Sequence, residues 1–124
     1  MKKPTVLIVD SDEYSRLLLE EMLHMMSQES ESYQILSTSY GKEAINFCNE
    51  CWIDLILIEI HLKNMEGWEL IQKIKGLYPS ISIIIQTALV MDNTEKMVRE
   101  SGADSFIAKP VELHKLQNMI KSVL

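Results

Sequence analysis

Four short apolar runs in this chain each end on a side chain that can do chemistry. Thr5 to Val9 leads into Asp10, Ile53 to Ile58 into Glu59, Ile81 to Gln86 into Thr87, and Ser105 to Ala108 into Lys109. The set is an acid, a second acid, a hydroxyl and an amine. Two neighbouring carboxylates raise each other's pKa, and an ammonium opposes that shift. Such a group can hold a divalent cation between carboxylates, or bind a phosphoryl group among cation, lysine and hydroxyl. Ser11 and Asp12 follow Asp10 directly and extend the acidic turn.

The four ends meet only if the runs lie side by side and point the same way. The stretch LILIEIHLKNMEG, Leu55 to Gly67, sets the pattern: an apolar run, an acid, a short polar loop, then a glycine. A run of that length and composition reads as a strand buried on both faces. Between the runs the apolar residues fall at helical spacing. The first helix extends to about Ser27, with Leu18, Met22, Leu23 and Met26 inward and Arg16, Glu20 and Glu21 outward. A weaker edge strand, Tyr33 to Ser37, follows the polar loop Ser27 to Ser32. Lys42 to about Glu50 is a second helix, with Ala44, Ile45 and Cys48 inward. A third runs from Met65 or Glu66 to Leu77 and stops before Pro79. A fourth is capped by Asp92 or Asn93 and ended by Gly102, and Val111 to Leu124 closes the chain with Leu113, Leu116, Ile120 and Leu124 inward. Strand and helix alternate five times with short connections, which predicts a parallel sheet covered by helices on both faces. Right-handed crossovers reduce this to an α/β, flavodoxin-like, doubly wound five-stranded sheet of order 2-1-3-4-5 in a three-layer sandwich. In such sheets sites form at the carboxyl edge, where Asp10, Glu59, Thr87 and Lys109 would stand.

The chain has 124 residues, enough for one core and one domain over 1–124. It is 47% hydrophobic and carries a net charge of -6. That charge opposes polyanionic partners, so neither nucleic acid nor an anionic membrane is expected. No apolar stretch reaches the roughly 18 residues of a membrane span, and the N-terminal MKKPTVLIVDSDE does not read as a signal peptide; a cytoplasmic location is expected. Cys48 and Cys51 form a CxxC. A redox pair belongs at a helix N-terminus after a strand, where a thiolate is stabilised. This one falls at a helix C-terminus, so both read as small apolar residues.

In order and spacing, the acidic turn at Asp10, the IEIHLKNMEG segment around Glu59, Thr87-Ala88 and Lys109-Pro110 resemble the receiver domain of two-component response regulators, the CheY-like family. The likeness covers essentially the whole chain. It implies a signalling module, not an enzyme. It implies a phosphoacceptor at the Glu59 position, Mg²⁺ held by the acidic turn and by the His61 backbone carbonyl, and phosphoryl contacts from Thr87 and Lys109. It further implies a cis Lys109-Pro110 peptide, and Phe106 changing rotamer together with Thr87. Implied partners are a histidine kinase, a phosphotransfer protein or an output domain, with a homodimer through helix four, strand five and helix five as a further option. Leu89, Val90 and Met91 would serve such a face, or else pack their loop down.

The chain departs from the family pattern at the chemistry itself. The acceptor aspartate is replaced by Glu59, and one acid of the metal-binding pair by Ser11, leaving Asp10 alone unless Asp12 swings in. The loop proline is Lys63, and the acid before the glycine is Glu66. The extra methylene carries the Glu59 carboxylate roughly 1.3 Å outward. A misplacement of about 1 Å can cost ~10²-fold in an in-line transfer. Loss of a carboxylate at Ser11 weakens, without abolishing, the hold on Mg²⁺. The longer acid can instead reach Lys109. The expectation is therefore a phosphorylation-independent or biased pseudo-receiver, the alternatives being a working acceptor with altered kinetics and an inert scaffold. An enzyme is a rival reading: Asp10-Ser11-Asp12 is similar to the start of haloacid-dehalogenase-like phosphatases, with Asp10 as nucleophile and Asp12 as general acid. Against it, no acidic pair follows Lys109, and there is no room for a cap. A flavin or nucleotide binder on the same fold is opposed by the acidic turn, which repels phosphate.

Overall fold

A computed structural model describes residues 3–27, 32–62 and 65–124. Lys63 and most of the Ser27 to Ser32 loop lie outside the described residues. The strands are β1 (Thr5–Val9), β2 (Gln34–Thr38), β3 (Leu55–Glu59), β4 (Ser82–Thr87) and β5 (Ser105–Ala108). Helices α1 (Glu13–Ser27), α2 (Gly41–Glu50), α3 (Gly67–Leu77), α4 (Thr94–Ser101) and α5 (Leu113–Val123) alternate with them. All pairings are parallel, and the order is β2-β1-β3-β4-β5. This is the predicted doubly wound sheet, with β2 at an edge.

Strand alternation divides the core in two. Val6, Ile8, Leu55, Leu57, Ile84 and Ile107 face α1 and α5, against Leu19, Leu23, Leu116 and Ile120. Leu7, Val9, Ile56, Ile58, Ile83 and Ile85 face α2, α3 and α4, against Ala44, Leu70, Ile71, Ile74 and Val98. The central strands are apolar at successive positions because both faces are covered.

The helix faces differ from the sequence reading in places. Leu19 rather than Leu18 joins Leu23 as a buried leucine of α1; Leu18 is 36% exposed at the rim. Arg16 is not turned outward: its Nη1 donates to the Asp10 carbonyl at 2.7 Å. Helix α5 starts at Leu113, because Glu112 caps it by accepting from the backbone N–H groups of His114 and Lys115, and Leu124 is half-exposed. Cys48 is core, and burial pushes its thiol up to about 11, whereas Cys51 is exposed at the helix end. Both are free thiols. Among the described residues, no helix is long and apolar enough to cross a membrane.

Two glycines are required by geometry. Gly102 ends α4 at φ 94°, the left-handed conformation that L side chains avoid. Gly67 opens α3, where a Cβ would lie 2.6 Å from Ile60 Cα. Its N–H donates to the Ile60 carbonyl at 2.7 Å, and His61 bridges Glu66. The segment after β3 is thereby folded tightly back over the strand end.

Candidate functional site

Strand β1 delivers Asp10 to the carboxyl edge 99% buried. Its Oδ1 accepts from the Asp12 backbone N–H at 2.9 Å, and its Oδ2 from Lys109 Nζ at 2.8 Å. Glu59, last in β3, gives Oε1 to the same Lys109 Nζ at 3.2 Å and Oε2 to the Ile60 backbone N–H at 2.8 Å. One ammonium thus joins two carboxylates from different strands, and each carboxylate is engaged at both oxygens. Burial works to lower the Lys109 pKa. The hydrogen bond and charge of Asp10, then those of Glu59, outweigh it and hold the ammonium above its ordinary value.

The other predicted residues stand around this triad. Asp12 does not swing into it. The Asp12 carboxylate caps α1, accepting from Ser15 Oγ at 2.8 Å and from the Ser15 backbone N–H at 3.1 Å. These bonds, the hydroxyl first, hold its carboxyl below the usual range. Ser11 is half-buried beside Asp10. Thr87 is buried, but its hydroxyl accepts from the Leu89 backbone N–H at 3.1 Å. Its link to Lys109 is through backbone, Lys109 N–H to the Thr87 carbonyl at 2.8 Å. Thr87 and the exposed His61 line a groove of about 170 Å³ with Trp68, Leu89, Met91 and Met97. Leu89, Val90 and Met91 belong to the loop before α4 and are 49–66% exposed, so they do not pack it down. Phe106 is half-buried against the α2–α4 side of the core. The Lys109-Pro110 peptide is cis, as the resemblance implies.

The donor set does not fit a resident Mg²⁺ as arranged. A divalent cation takes oxygens at close range from more than one carboxylate or carbonyl. Here Lys109 and backbone N–H groups use the oxygens of Asp10 and Glu59, and Asp12 is committed to α1. No group of three or more acids, histidines or cysteines among the described residues could hold a metal ion.

Sequence reasoning places Gln86 only within a buried strand, yet it belongs to this edge. It pairs in register with Glu59 on one side and Ile107 on the other, and alternation from Ile84 turns it to the α1–α5 face. It is 1% exposed, and neither amide atom has a partner among the described residues. The available signal is an amide interrupting the Ile-rich run before Thr87.

Comparison with known proteins agrees with this fold. The family model for the response regulator receiver domain matches residues 6–121. The polar-differentiation response regulator DivK of Brucella ovis is 30% identical over 122 residues, covering 97% of this chain and 95% of DivK. The sensor histidine kinase RcsC of Salmonella typhi is 30% identical over 115 residues, 93% of this chain, but the chain spans only 12% of RcsC. A two-component response regulator of Clostridium difficile superimposes with a TM-score of 0.87 at 26% identity, over 98% of this chain and 95% of that one. With a single family model running from the first strand to the last helix, and a relative of nearly equal length beside it, this chain belongs to the response regulator receiver domains.

Proposed function

We propose that this receiver domain signals by protein–protein contact without depending on efficient phosphoryl transfer to Glu59. The observation that carries the reading is the Asp10–Lys109–Glu59 triad. An acceptor carboxylate must present a free oxygen to the incoming phosphorus. Each Glu59 oxygen already accepts a hydrogen bond, one from an ammonium and one from the Ile60 N–H, which lowers its nucleophilicity and fixes its direction. The Lys109 ammonium also takes the place in the charge balance that Mg²⁺ would occupy, so metal binding is weakened at the same position. The negative group of Glu59 meets Lys109 directly, which biases the loops toward one arrangement without a phosphoryl group.

Partners follow from the family. A histidine kinase, a phosphotransfer protein or an output domain would dock on the receiver in the cytoplasm. The similarity to part of RcsC, a sensor histidine kinase, supports a place in such a relay. The exposed Leu89 and Met91, in the groove they share with Trp68 and Met97, offer an apolar surface for that contact, or for a second copy of the chain.

The deciding experiment is incubation with a small phosphodonor and Mg²⁺, read by intact mass, on the natural chain and on the Glu59→Asp/Ser11→Asp double variant. Uptake by the double variant alone is expected. Rapid, Mg²⁺-dependent uptake by the natural chain would overturn the proposal in favour of an acceptor with altered kinetics.

A further inference from the structure

The triad leaves Gln86 unexplained. Its amide nitrogen and oxygen are both sealed from solvent, and neither has a hydrogen-bond partner among the described residues. Burying such a group unpaired costs stability, and a methionine of similar shape would fill the strand position without that cost. The sheet decides what the amide can reach. Lys109 follows β5, Glu59 ends β3, and β4 lies between them. The lysine stem must therefore cross β4 to bring its ammonium to Glu59 and on to Asp10 at the end of β1. Gln86 is the β4 residue level with Glu59, and register partners turn their side chains to the same face. Neighbouring strands lie about 4.8 Å apart, a gap that a side chain of this length spans. Gln86 and Lys109 also border one cleft beside α1. The orphaned amide thus lies beside the route that Lys109 takes, one strand away from the carboxylate that Lys109 holds.

The two bonds of the ammonium are unequal. Lys109 Nζ stands 2.8 Å from Asp10 Oδ2 and 3.2 Å from Glu59 Oε1, so the arm to Glu59 is the longer. If that arm opens, Oε1 is left without a donor, because the Ile60 N–H already serves Oε2. The Thr87 hydroxyl is next along β4, but strand alternation turns it to the other face, where it accepts from the Leu89 N–H. The Gln86 NH₂ is an unengaged donor on the correct face and at the correct level.

We propose that Gln86 is a positioning residue for Glu59: when Lys109 releases Glu59, the Gln86 amide turns and donates to Oε1 in its place. The edge then has two settings, one paired through Lys109 and one through Gln86, and the orphaned amide marks the setting not in use. The exchange keeps the Glu59 carboxylate bonded at both oxygens while the ammonium is freed to turn toward Asp10 alone or toward an acid of a docking partner. This inference rests on the triad and not on whether Glu59 takes a phosphoryl group, and its test uses no phosphodonor.

The test is a double-mutant cycle read by urea unfolding at pH 7, over the natural chain, Gln86→Met, Lys109→Met and the two combined. In the natural chain Gln86→Met removes an orphaned amide and should raise the urea midpoint by about 0.5 M. In the Lys109→Met background the same substitution removes the replacement donor and should lower the midpoint by a similar amount. A residue that only fills the core would shift both midpoints in the same direction. A second measurement is the NMR contact between the Gln86 side-chain NH₂ and the Glu59 γ protons, expected to be strong in Lys109→Met and weak in the natural chain. Sucrose keeps Lys109→Met folded for both measurements if its midpoint falls too low. Equal shifts from Gln86→Met in the two backgrounds would overturn the proposal. So would a loss of stability from Gln86→Met in the natural chain, or a Gln86 amide in Lys109→Met that shows no approach to Glu59.

Discussion

Lys109 is the residue on which the edge turns. It is the only described side chain bonded to both Asp10 and Glu59, and it lies 81% buried between them. Removing it strands two acids of which one is fully enclosed. Breaking a buried ion pair from one side costs about 3–5 kcal/mol, and the partial exposure of Lys109 places this case near the lower figure. Lys109→Met should therefore lower the unfolding free energy by roughly 3 kcal/mol, measured by urea titration at pH 7. The pH dependence has a definite sign. The folded-state pKa of Lys109 lies above its ordinary 10.5, so its contribution is complete below that value and fades as pH rises through the folded one. The stability gap between the natural chain and Lys109→Met should stay constant from pH 7 to about 10 and then narrow. A gap that closes near neutrality would mean that some other group carries the effect.

At the scale of elements, the triad depends on the tight return between β3 and α3. Both Glu59 oxygens accept hydrogen bonds, from Lys109 and from the Ile60 N–H, and the Gly67-to-Ile60 hydrogen bond fixes the backbone that follows it. The absent Cβ of Gly67 makes that approach feasible. An alanine there would meet Ile60 Cα at 2.6 Å and its carbonyl oxygen at 2.7 Å, both backbone atoms that cannot rotate away. Gly67→Ala should destabilise the domain by about 1–3 kcal/mol and shift the NMR signals of Glu59 and Ile60. Helix α1 contributes in another way. Its Asp12 cap and the Arg16 bond to the Asp10 carbonyl tie the first turn of the helix to the end of β1. That use of Asp12 keeps it from replacing the acid missing at Ser11.

For the molecule as a whole, one prediction separates a charge-balanced edge from a metal-binding one. A ligand that binds only the folded state raises its melting temperature in proportion to ln(1 + [L]/Kd). With Lys109 and backbone N–H groups using the oxygens of Asp10 and Glu59, 10 mM Mg²⁺ should leave the melting temperature of the natural chain unchanged within about 1 °C. The same addition should raise that of Glu59→Asp/Ser11→Asp by several degrees. The parallel sheet explains why such small changes matter: four strand ends share one edge, so a methylene at Glu59 alters what Lys109 can reach from β5.

The parallel sheet, its order, and the meeting of Asp10, Glu59 and Lys109 are legible in the residue pattern. Those rest on apolar runs, turn residues and the rule that parallel strands end together, all of which are local or topological. Strand ends could shift by a residue, as at β2, without changing that outcome. How the polar atoms are shared emerges only once the chain is packed. Asp12 went to the helix cap, the Thr87 hydroxyl to Leu89, and both oxygens of Glu59 to fixed donors. Packing alone set Gln86 beside Glu59 and over a cleft. Hydrogen-bond partners are chosen by distances and directions of a few tenths of an ångström among groups far apart in the chain, and no periodicity encodes that.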